Sequence, residues 1–401
     1  MPEVRVLSFS TNYPRPADKN RGLFVRSRLQ HMAQLLPVKV VSPVALTDYA
    51  AHTRLKILPP ARMQDQQLEV FYPRWVYPPY GGFLNAWFLA ARMIPFLRKL
   101  RREYPFDLID SHFGHPEGIA AGLISAAMHI PFTITLRGNE TMHAQAPGCR
   151  WWMSWAIRRA SRIIAVAESL RQFAISMGAD ARLARTIPNG IDTGLFYSRG
   201  YAESRARLGI PMDRQAVVSA GYLIERKGHH RVVRALAELR RQGSQAELWI
   251  VGGPGREGNF EKQIHQEVSA HDLQGAVHFA GVVNQPALAE YMSAADVFCL
   301  ATSREGWPNV VHEALGCGAP VVATDVGGIQ DMLPSRDYGI VVPAGDPKAL
   351  TAALGEALGR RWNREAIAAW GRARSWTQVA AETAETLRAA VLDPLGGLAA
   401  A

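Results

Sequence analysis

The sequence predicts an α/β protein with two domains, each built on a parallel, doubly wound sheet. The chain of 401 residues exceeds what one hydrophobic core usually holds. Its 48% hydrophobic and 20% charged residues are values typical of globular proteins. Strand-like and helix-like segments alternate in both halves, which indicates right-handed crossovers between parallel strands. The turn sequence IPNGID, residues 187–192, separates the two halves.

In the first half, short apolar runs rich in β-branched residues alternate with longer segments of helical periodicity. The predicted strands are residues 4–9, 38–44, 108–111, 132–136 and 162–165. The predicted helices are residues 24–35, 85–102, 117–128 and 151–160. This alternation favours a Rossmann-like domain over residues 1–190.

The second half repeats the alternation of predicted strands and helices. Its predicted strands are residues 217–220, 247–251, 277–280, 296–300, 320–324 and 339–342. Its predicted helices are residues 231–241, 260–270, 286–293 and 347–358, followed by a final helix pair over 370–392. We therefore expect two Rossmann-like domains, 1–190 and 191–370, facing one another across a cleft. Residues 371–401 are expected to form a C-terminal helix and a frayed LGGLAAA tail.

The most informative segment is SREGWPNVVHEALGCGAPVVAT, residues 303–324. Pro308 suits the first helical position, so Glu305 precedes the helix and Glu313 lies inside it, about two turns further on. Ligands bind beyond the carboxyl ends of parallel strands, where this loop is predicted to lie. Because the first amides of a helix lack backbone partners, the segment predicts an anion site flanked by carboxylates.

This segment resembles the E-x7-E element of the retaining GT-B glycosyltransferases of family 4. The sequence EGWPNVVHEA is similar to the corresponding segment of a subgroup that builds cell-surface polysaccharides. The resemblance implies that Glu305 lies against the donor sugar, that Glu313 holds the ribose hydroxyls, and that the backbone between them meets the diphosphate. The donor-binding candidates in that backbone are Gly306, Trp307, Pro308, Asn309 and Val310. Two solvated glutamates on a helix face are the structural alternative.

A second motif, AGYLIERKG at residues 220–228, places Arg226 and Lys227 side by side between a strand and a helix. A forked guanidinium and a compact ammonium can neutralise a diphosphate as a metal does elsewhere. The motif resembles the G-x-L-x-x-x-K-G element of the same family, although a solvated turn would also explain it alone. Gly221 and Gly252 are further donor-binding candidates, and Gly252 fits a tight turn equally well.

The chain has no Asp-x-Asp motif and no cluster of ligands with metal spacing in the loops after the strands. The sequence therefore predicts a metal-independent enzyme. The resemblance implies that it needs no cofactor and uses a nucleoside-diphosphate sugar as substrate.

Three positions in the first half are candidates for contacts with the donor or the reacting sugar. Gly22, in NRGLFV, stands at a turn into a helix whose amides could reach the donor phosphates. In DLIDSHFGHPEG, residues 107–118, His112 follows a short strand and resembles the histidine that the family places near the reacting sugar. His115 competes for that assignment, and the sequence leaves the choice open.

One departure from the family pattern concerns the acceptor. TLRGNE, residues 135–140, stands where many relatives have T-L-H-G-x-D, so Arg137 and Glu140 replace His and Asp. Arg137 could contact an anionic acceptor such as a lipid phosphate, or it could pair with Glu140. We predict that both residues, together with His115, belong to the acceptor site.

The charge is concentrated in the first half. Residues 1–190 contain 24 basic and 12 acidic residues, whereas residues 191–401 contain 21 and 23. Such asymmetry indicates an acidic partner, either a nucleic acid or an anionic membrane surface. The aromatic-basic stretches 74–88 and 150–162 favour the membrane surface, because amphipathic rings and arginines suit the lipid headgroup zone. Ordinary core tryptophans beside a solvated basic helix are the alternative.

Three widely spaced cysteines, Cys149, Cys299 and Cys317, fit buried thiols in a reducing compartment. The N-terminus is predicted to be a strand rather than a cleaved signal, and the apolar stretch 83–97 is too short and polar to span a bilayer. We therefore expect a cytoplasmic protein, with peripheral attachment to the inner face of the cell membrane as an option.

The resemblance implies a retaining glycosyltransferase that moves a sugar to a glycan or polyprenyl-linked acceptor in surface polysaccharide synthesis. The first domain would bind the acceptor, the second would bind the nucleotide-sugar donor, and the C-terminal helix would pack back on the first. A GT-B sugar-nucleotide epimerase or phosphorylase is an alternative. A nucleic-acid-binding protein is a second, although the chain has no stacking platform or recognition-helix signature.

Overall fold

Two parallel sheets organise the computed structural model, which describes residues 3–16, 18–46, 58–78, 81–255 and 258–393. Among these residues, those up to Gly190 and those from Trp376 onward form the first unit, and Ile191–Ser375 form the second. Residues 371–375 thus belong to the second unit and not to the C-terminal segment that the sequence predicts. The tail expected to fray, residues 395–401, lies outside the described residues.

The first unit contains an eight-stranded sheet in the order β10-β9-β8-β7-β1-β2-β5-β4. Its pairings are parallel except that β4 is antiparallel to β5 at one edge. A separate parallel pair joins β3 and β6. The strands are β1 Val6–Phe9, β2 Val38–Val41, β3 Val44–Ala45, β4 Arg62–Asp65, β5 Leu68–Phe71, β6 Arg74–Trp75, β7 Leu108–His112, β8 Phe132–Leu136, β9 Arg162–Ala165 and β10 Ala184–Thr186.

Several central strands of this sheet are buried along their whole length, as in Phe132–Leu136 and Arg162–Ala165. Parallel sheets are covered by helices on both faces, so apolar runs without alternation suit these positions. The helices of the first unit are α1 Leu23–Met32, α2 Leu84–Glu103, α3 Ile119–Met128, α4 Glu140–His143, α5 Pro147–Ile157 and α6 Glu168–Ser176, with a π-helical turn at Gly114–Gly118.

The C-terminal helix, Trp376–Leu392, packs on the first unit, which confirms the return that the sequence predicts. Its buried Val379 and Leu387 share one hydrophobic cluster with Leu29 and Met32 of α1. The expected helix pair therefore divides: Arg364–Arg372 ends the second unit, and Trp376–Leu392 completes the first.

The second unit has a six-stranded, fully parallel sheet in the order β13-β12-β11-β14-β15-β16. Its strands are β11 Ala216–Ala220, β12 Glu247–Val251, β13 Val277–Gly281, β14 Val297–Leu300, β15 Val321–Thr324 and β16 Gly339–Val342. Its helices are α7 Tyr201–Leu208, α8 His229–Arg241, α9 Glu261–Ala270, α10 Gln285–Ala294, α11 Asn309–Gly316, α12 Ile329–Met332, α13 Pro347–Gly359 and α14 Arg364–Arg372, with a 3-10 turn at Glu225–Lys227. The C-terminal helix of the first unit is α15.

The strand order of the second unit brings the two main motifs together. Since β11 pairs directly with β14, their carboxyl ends lie side by side although about eighty residues separate them. The loop after β11 carries the basic pair and the loop after β14 carries Glu305. None of the described helices is long and apolar enough to cross a membrane. The three cysteines are buried and free.

Candidate functional site

A carboxylate and two cations meet at the carboxyl edge of the second sheet. Lys227 Nζ donates to Glu305 Oε1 at 2.7 Å, and Arg226 Nη1 donates to the same oxygen at 3.2 Å. Thr302 Oγ1 adds a third hydrogen bond to that oxygen at 3.1 Å. These side chains are largely shielded from solvent, with Lys227 and Glu305 only 12% and 11% exposed. Such shielding strengthens charge interactions relative to those in bulk water.

The loop around Glu305 is also fixed by its backbone. Gly328 N donates to Gly306 O at 2.8 Å. Gly327 has a positive φ of 59°, and a Cβ there would lie 2.3 Å from the Glu305 carbonyl oxygen. Any side chain at position 327 would therefore displace the loop that carries the glutamate. Gly327 and Thr302 are not among the residues that the sequence predicts for this site, although VGG at 326–328 after a strand signals a turn.

Helix α11 begins at Asn309, one residue later than the sequence predicts, because Pro308 has an extended ψ of 90° and is the N-cap residue. The predicted diphosphate-binding backbone, Gly306 to Val310, thus contains the loop and the first helical amides. Trp307 within it is buried, and its Nε1 has no hydrogen-bond partner among the described residues. A ligand that accepts a hydrogen bond would satisfy this indole.

Glu313 lies on α11 and is electrostatically linked to Lys227. Burial of its carboxyl raises the pKa of Glu313 to about 7, and the positive charge of Lys227 opposes this shift. The group is therefore close to half-protonated near neutral pH, when it can both donate and accept hydrogen bonds. Lys227 thereby connects the two glutamates of the E-x7-E segment.

The glycines of the motif have structural reasons to be glycine. Gly252 has φ 151°, and a Cβ there would lie 1.8 Å from the Gly221 carbonyl oxygen. The loops after β11 and β12 consequently touch through their backbones. A role for Gly221 and Gly252 in donor binding stays a prediction.

In the first unit, Gly22 immediately precedes α1, as predicted, with a left-handed φ of 57°. A Cβ at this position would lie 2.1 Å from Asn12 O, so the turn requires glycine. This close approach explains the residue without a ligand, and its contact with donor phosphates stays a prediction.

His112 ends β7 and is completely buried. Arg137 Nη2 donates to His112 Nδ1 at 2.8 Å, and His112 Nε2 lies 2.9 Å from Ser8 Oγ and 3.2 Å from Asp110 Oδ2. Since Nδ1 accepts from arginine, the proton of the neutral ring is on Nε2. Burial lowers the pKa of His112 to about 4, and nearby Asp110 opposes the shift. Both ring nitrogens are thus occupied inside the domain.

The side chains of Arg137 and Glu140 are both buried, and their hydrogen bonds go to different groups. Besides His112, Arg137 donates to Asn189 Oδ1 at 3.3 Å and lies 5.0 Å from the centre of the Phe24 ring. Glu140 accepts from the backbone amides of Arg137 at 3.1 Å and of Gly138 at 2.6 Å. A carboxylate bound by backbone amides orders the loop after β8. Contact of either residue with an acceptor stays a prediction.

His115 differs from His112 because it lines a cavity of about 220 Å3. Its ring centre lies 4.8 Å from that of His143. Burial and the neighbouring His143 lower the pKa of His115 to about 4. His112, Arg137 and Glu140 are not among the residues that line this cavity. Of the four first-unit candidates beyond Gly22, His115 therefore has the clearest access to a small ligand.

No group of three or more His, Cys, Asp or Glu side chains that could hold a metal occurs within the described ranges. Independence of metals and cofactors stays a prediction.

Two family models match the chain in succession: Glycosyltransferase Family 4 over residues 10–195 and Glycosyl transferases group 1 over residues 201–374. TuaC of Bacillus subtilis, described as a teichuronic acid biosynthesis glycosyltransferase, is 28% identical over 373 residues, which cover 89% of each chain. HepE of Anabaena, solved in complex with UDP, has a TM-score of 0.74 and 20% identity, covering 96% of this chain and 100% of that one.

Sucrose-phosphate synthase of Thermosynechococcus elongatus is similar in structure as well. Its TM-score is 0.72 at 20% identity, covering 97% of this chain and 96% of the other. Both structural likenesses extend over nearly the whole chain, and they confirm the GT-B fold that the sequence predicts.

Proposed function

The chain belongs to the family 4 glycosyltransferases of the GT-B fold, and from this premise we propose that it is a retaining enzyme of polysaccharide or glycoconjugate synthesis. It transfers a sugar from a nucleoside-diphosphate sugar to a glycan or polyprenyl-linked acceptor. The description of TuaC supports a surface polysaccharide as the product. The UDP bound to HepE makes UDP-sugars the first donors to test.

The meeting of Arg226 and Lys227 at Glu305 Oε1 is the observation that carries this proposal. A nucleoside diphosphate leaving group gains negative charge as the glycosidic bond breaks, so cations placed beside it stabilise the transition state. Glu305 holds both cations in position while the donor is absent. This arrangement supplies positive charge without a metal, which supports a metal-independent reaction.

In the proposed reaction, the bond between the anomeric carbon and the diphosphate oxygen breaks, and the acceptor hydroxyl oxygen bonds to the same face of that carbon. The hydroxyl proton moves to the departing phosphate oxygen, so no protein nucleophile is required. Arg226, Lys227 and the amides at the start of α11 bind the leaving group. Glu305 lies against the transferred sugar, and Glu313 binds the ribose hydroxyls.

We also propose that the first unit attaches to an anionic membrane at the cytoplasmic face. An aromatic patch, defined as Trp87, Phe88, Trp151 and Trp152, spans α2 and α5. Trp87, Phe88 and Trp151 are 42%, 47% and 57% exposed, and Trp152 lies between Trp87 and Trp151 in edge contact with both. Exposed aromatic rings of this kind suit the headgroup zone of a bilayer.

Exposed arginines on and after α5, at Arg150, Arg158 and Arg159, supply the matching positive charge for anionic lipid. Pelleting with liposomes should recover the protein with anionic vesicles, and Trp151→Ala should reduce that recovery. Equal recovery with neutral and anionic vesicles at low salt would contradict this attachment.

The transfer proposal is tested with a panel of nucleoside-diphosphate sugars, scored first by thermal unfolding and then by turnover. A donor that binds only the native state raises the unfolding midpoint. We expect this rise to be lost in Lys227→Ala and kept in Lys262→Ala, which removes an exposed lysine of the same unit. Retention is read from the anomeric proton of the product by NMR.

Two outcomes would redirect the proposal. Turnover of the donor to a second sugar nucleotide without acceptor indicates an epimerase, and inversion at the anomeric carbon excludes the retaining mechanism. A donor whose midpoint shift is unchanged in Lys227→Ala would remove the diphosphate assignment.

A further inference from the structure

The cavity in the first unit lies at the carboxyl edge of its sheet, where the segments that follow β1, β2, β7 and β8 converge. This is the edge at which parallel α/β sheets bind their ligands. Its volume of about 220 Å3 is below the range of about 300–1,000 Å3 typical of drug-sized sites. It therefore suits a ligand near the size of one sugar ring. The lining residues are Thr11, Arg15, Arg21, Pro43, Ala45, Trp75, Tyr77, Asn85, His115, Pro116 and His143.

Among the described residues that line this cavity, the charged side chains are two arginines and none is Asp or Glu. Arg21 Nε donates to Thr11 O at 3.0 Å, and Arg15 Nη2 donates to Pro43 O at 3.2 Å. Carbonyl oxygens orient a guanidinium but carry no formal charge, so these bonds do not cancel its positive charge. Arg21 therefore contributes positive charge to the described wall of the cavity.

Several lining residues have buried polar atoms without a hydrogen-bond partner among the described residues. Arg21 Nη1, Trp75 Nε1 and His115 Nδ1 are in this condition. The Trp75 and His115 side chains are only 4% and 8% exposed. Unpaired buried donors are energetically costly, and an indole N–H can only donate. A ligand rich in acceptor oxygens would satisfy them.

Glu117 is an acidic residue whose hydrogen bonds reach the lining. It accepts from Thr11 N at 2.9 Å and from Thr11 Oγ1 at 2.5 Å. Burial raises the pKa of Glu117 to about 7, so its negative charge is incomplete near neutral pH. It therefore opposes an anion in the cavity only weakly.

We propose that this cavity binds an anionic substituent, a phosphate or a carboxylate, on the acceptor sugar, with Arg15, Arg21 and Trp75 as its donors. This inference rests on the proposed glycosyl transfer and narrows its acceptor to charged sugars. The Trp75 and Tyr77 rings, 5.0 Å apart, provide an apolar wall for the sugar carbons beside the charged group. The anion is placed by residues that the family motifs do not include.

The test compares glucose 1-phosphate, glucuronate and uncharged glucose by calorimetric titration of the full chain. We expect at least one charged sugar to bind and glucose to bind at least about tenfold more weakly. Arg21→Gln should lower the affinity for the charged sugar by about tenfold or more, since it removes a charge-assisted hydrogen bond. Trp75→Phe should weaken that binding several-fold, because an aromatic ring remains while the indole N–H donor is lost with the five-membered ring.

Two control variants locate the binding. Arg182→Gln removes an exposed arginine of the same unit that pairs with Asp180, and it should leave binding unchanged. Lys227→Ala should lower the affinity for a nucleoside diphosphate and leave the affinity for the charged sugar unchanged. This pair separates the cavity from the proposed diphosphate site. It also separates failure of the acceptor inference from failure of the proposed function.

Binding of glucose 1-phosphate alone assigns a phosphate, and binding of glucuronate alone assigns a carboxylate. Equal affinity for glucose and the charged sugars overturns the proposal, as does unchanged binding in Arg21→Gln. Should Arg21→Gln fail to fold in a thermal melt, Trp75→Phe decides on its own. No binding of either charged sugar at millimolar concentration also overturns the proposal.

Discussion

Replacement of Lys227 by alanine is the sharpest perturbation of the proposed site. The ammonium lies 2.7 Å from Glu305 Oε1 and also influences Glu313, so one truncation affects the leaving-group charge and both glutamates. Arg226 and Thr302 still hold Glu305 through hydrogen bonds of 3.2 and 3.1 Å. The loop should therefore keep its conformation, and the loss should appear mainly in activity.

The size of the loss follows from Coulomb's law. Two unit charges about 4 Å apart interact by about 4 kcal/mol at an effective dielectric constant of about 20. That energy corresponds to nearly 10³ in rate, because about 1.4 kcal/mol is tenfold. In the free enzyme the Lys227 ammonium already pairs with Glu305, so its interaction with the diphosphate stabilises the transition state by less than this full energy. We expect kcat/KM to fall about 10²- to 10³-fold.

The assay measures initial rates of sugar transfer with the donor found by the panel, at several donor concentrations. Part of the loss should appear as a raised KM, since the ground-state diphosphate is already charged, and the rest as a lowered kcat. Lys262→Ala is the matched control and should keep wild-type rates. A Lys227→Ala enzyme with kcat/KM within about threefold of wild type, and with an unchanged unfolding midpoint, would refute the electrostatic reasoning.

Three further predictions concern stability. Burial raises the pKa of Glu313 from 4.5 to about 7, so the native state retains a proton that the unfolded chain loses, and stability falls as pH rises through this window. Glu313→Gln should remove up to about 3 kcal/mol of this pH-dependent loss in the free energy of unfolding. The measurement compares urea-unfolding curves of the variant and wild type at pH 4.5 and 7.5. Identical curves of the two proteins at both pH values would contradict the raised pKa. His112→Phe should lower the free energy of unfolding in urea by about 3–5 kcal/mol, because Arg137 Nη2 and the Ser8 and Asp110 side chains would stay buried without the imidazole nitrogens. His112→Gln should lower it less. Equal stability of both variants and wild type would contradict the buried network. Gly252→Ala should lower the unfolding midpoint strongly, because its Cβ would lie 1.8 Å from Gly221 O, whereas Gly243→Ala, with positive φ but open space, should cost only about 1–3 kcal/mol; similar costs would contradict the contact.

The sequence predicts the second sheet well because the signals there are local. Each strand is a short, uninterrupted apolar run, and each helix has a clear period. The basic pair and Glu305 were expected to cooperate from the resemblance, whereas the strand order gives the physical reason. Spacing alone contains no information that β11 pairs with β14, since that pairing is decided by packing of the whole sheet.

The first unit was harder to predict at its edge. The hairpin of β4 and β5 was missed because Arg62–Asp65 is polar and alternates between exposed and partly buried side chains. Its tight turn uses Gln66 at φ 55°, a residue type that does not signal a turn. Pro43 ended the strand predicted over 38–44, because proline cannot donate to a sheet.

The direction in which a histidine points is likewise invisible in a sequence. The sequence predicts His112 just beyond the strand 108–111, whereas it is the last residue of β7, and its two nitrogens are occupied by Arg137 and by the Ser8–Asp110 pair. The replacement of His by Arg at position 137 was the available signal, because a new buried cation needs an acceptor. Likewise, the cavity joins Arg21 to Trp75 and His115 from distant parts of the chain. Such convergence emerges only from tertiary packing.

Two glutamates beside the proposed diphosphate site would ordinarily repel an anion, and two features of the structure reduce that repulsion. Glu305 directs one oxygen to three donors, so its charge is largely compensated by Lys227, Arg226 and Thr302. The raised pKa of Glu313 leaves that carboxyl close to half-neutral at physiological pH. Among the described side chains that meet here, Arg226 and Lys227 thus carry more positive charge than Glu305 and Glu313 carry negative charge, which favours the proposed diphosphate site. In the proposed reaction, the glutamates would then orient the hydroxyl groups of the donor without weakening the attraction for its phosphates.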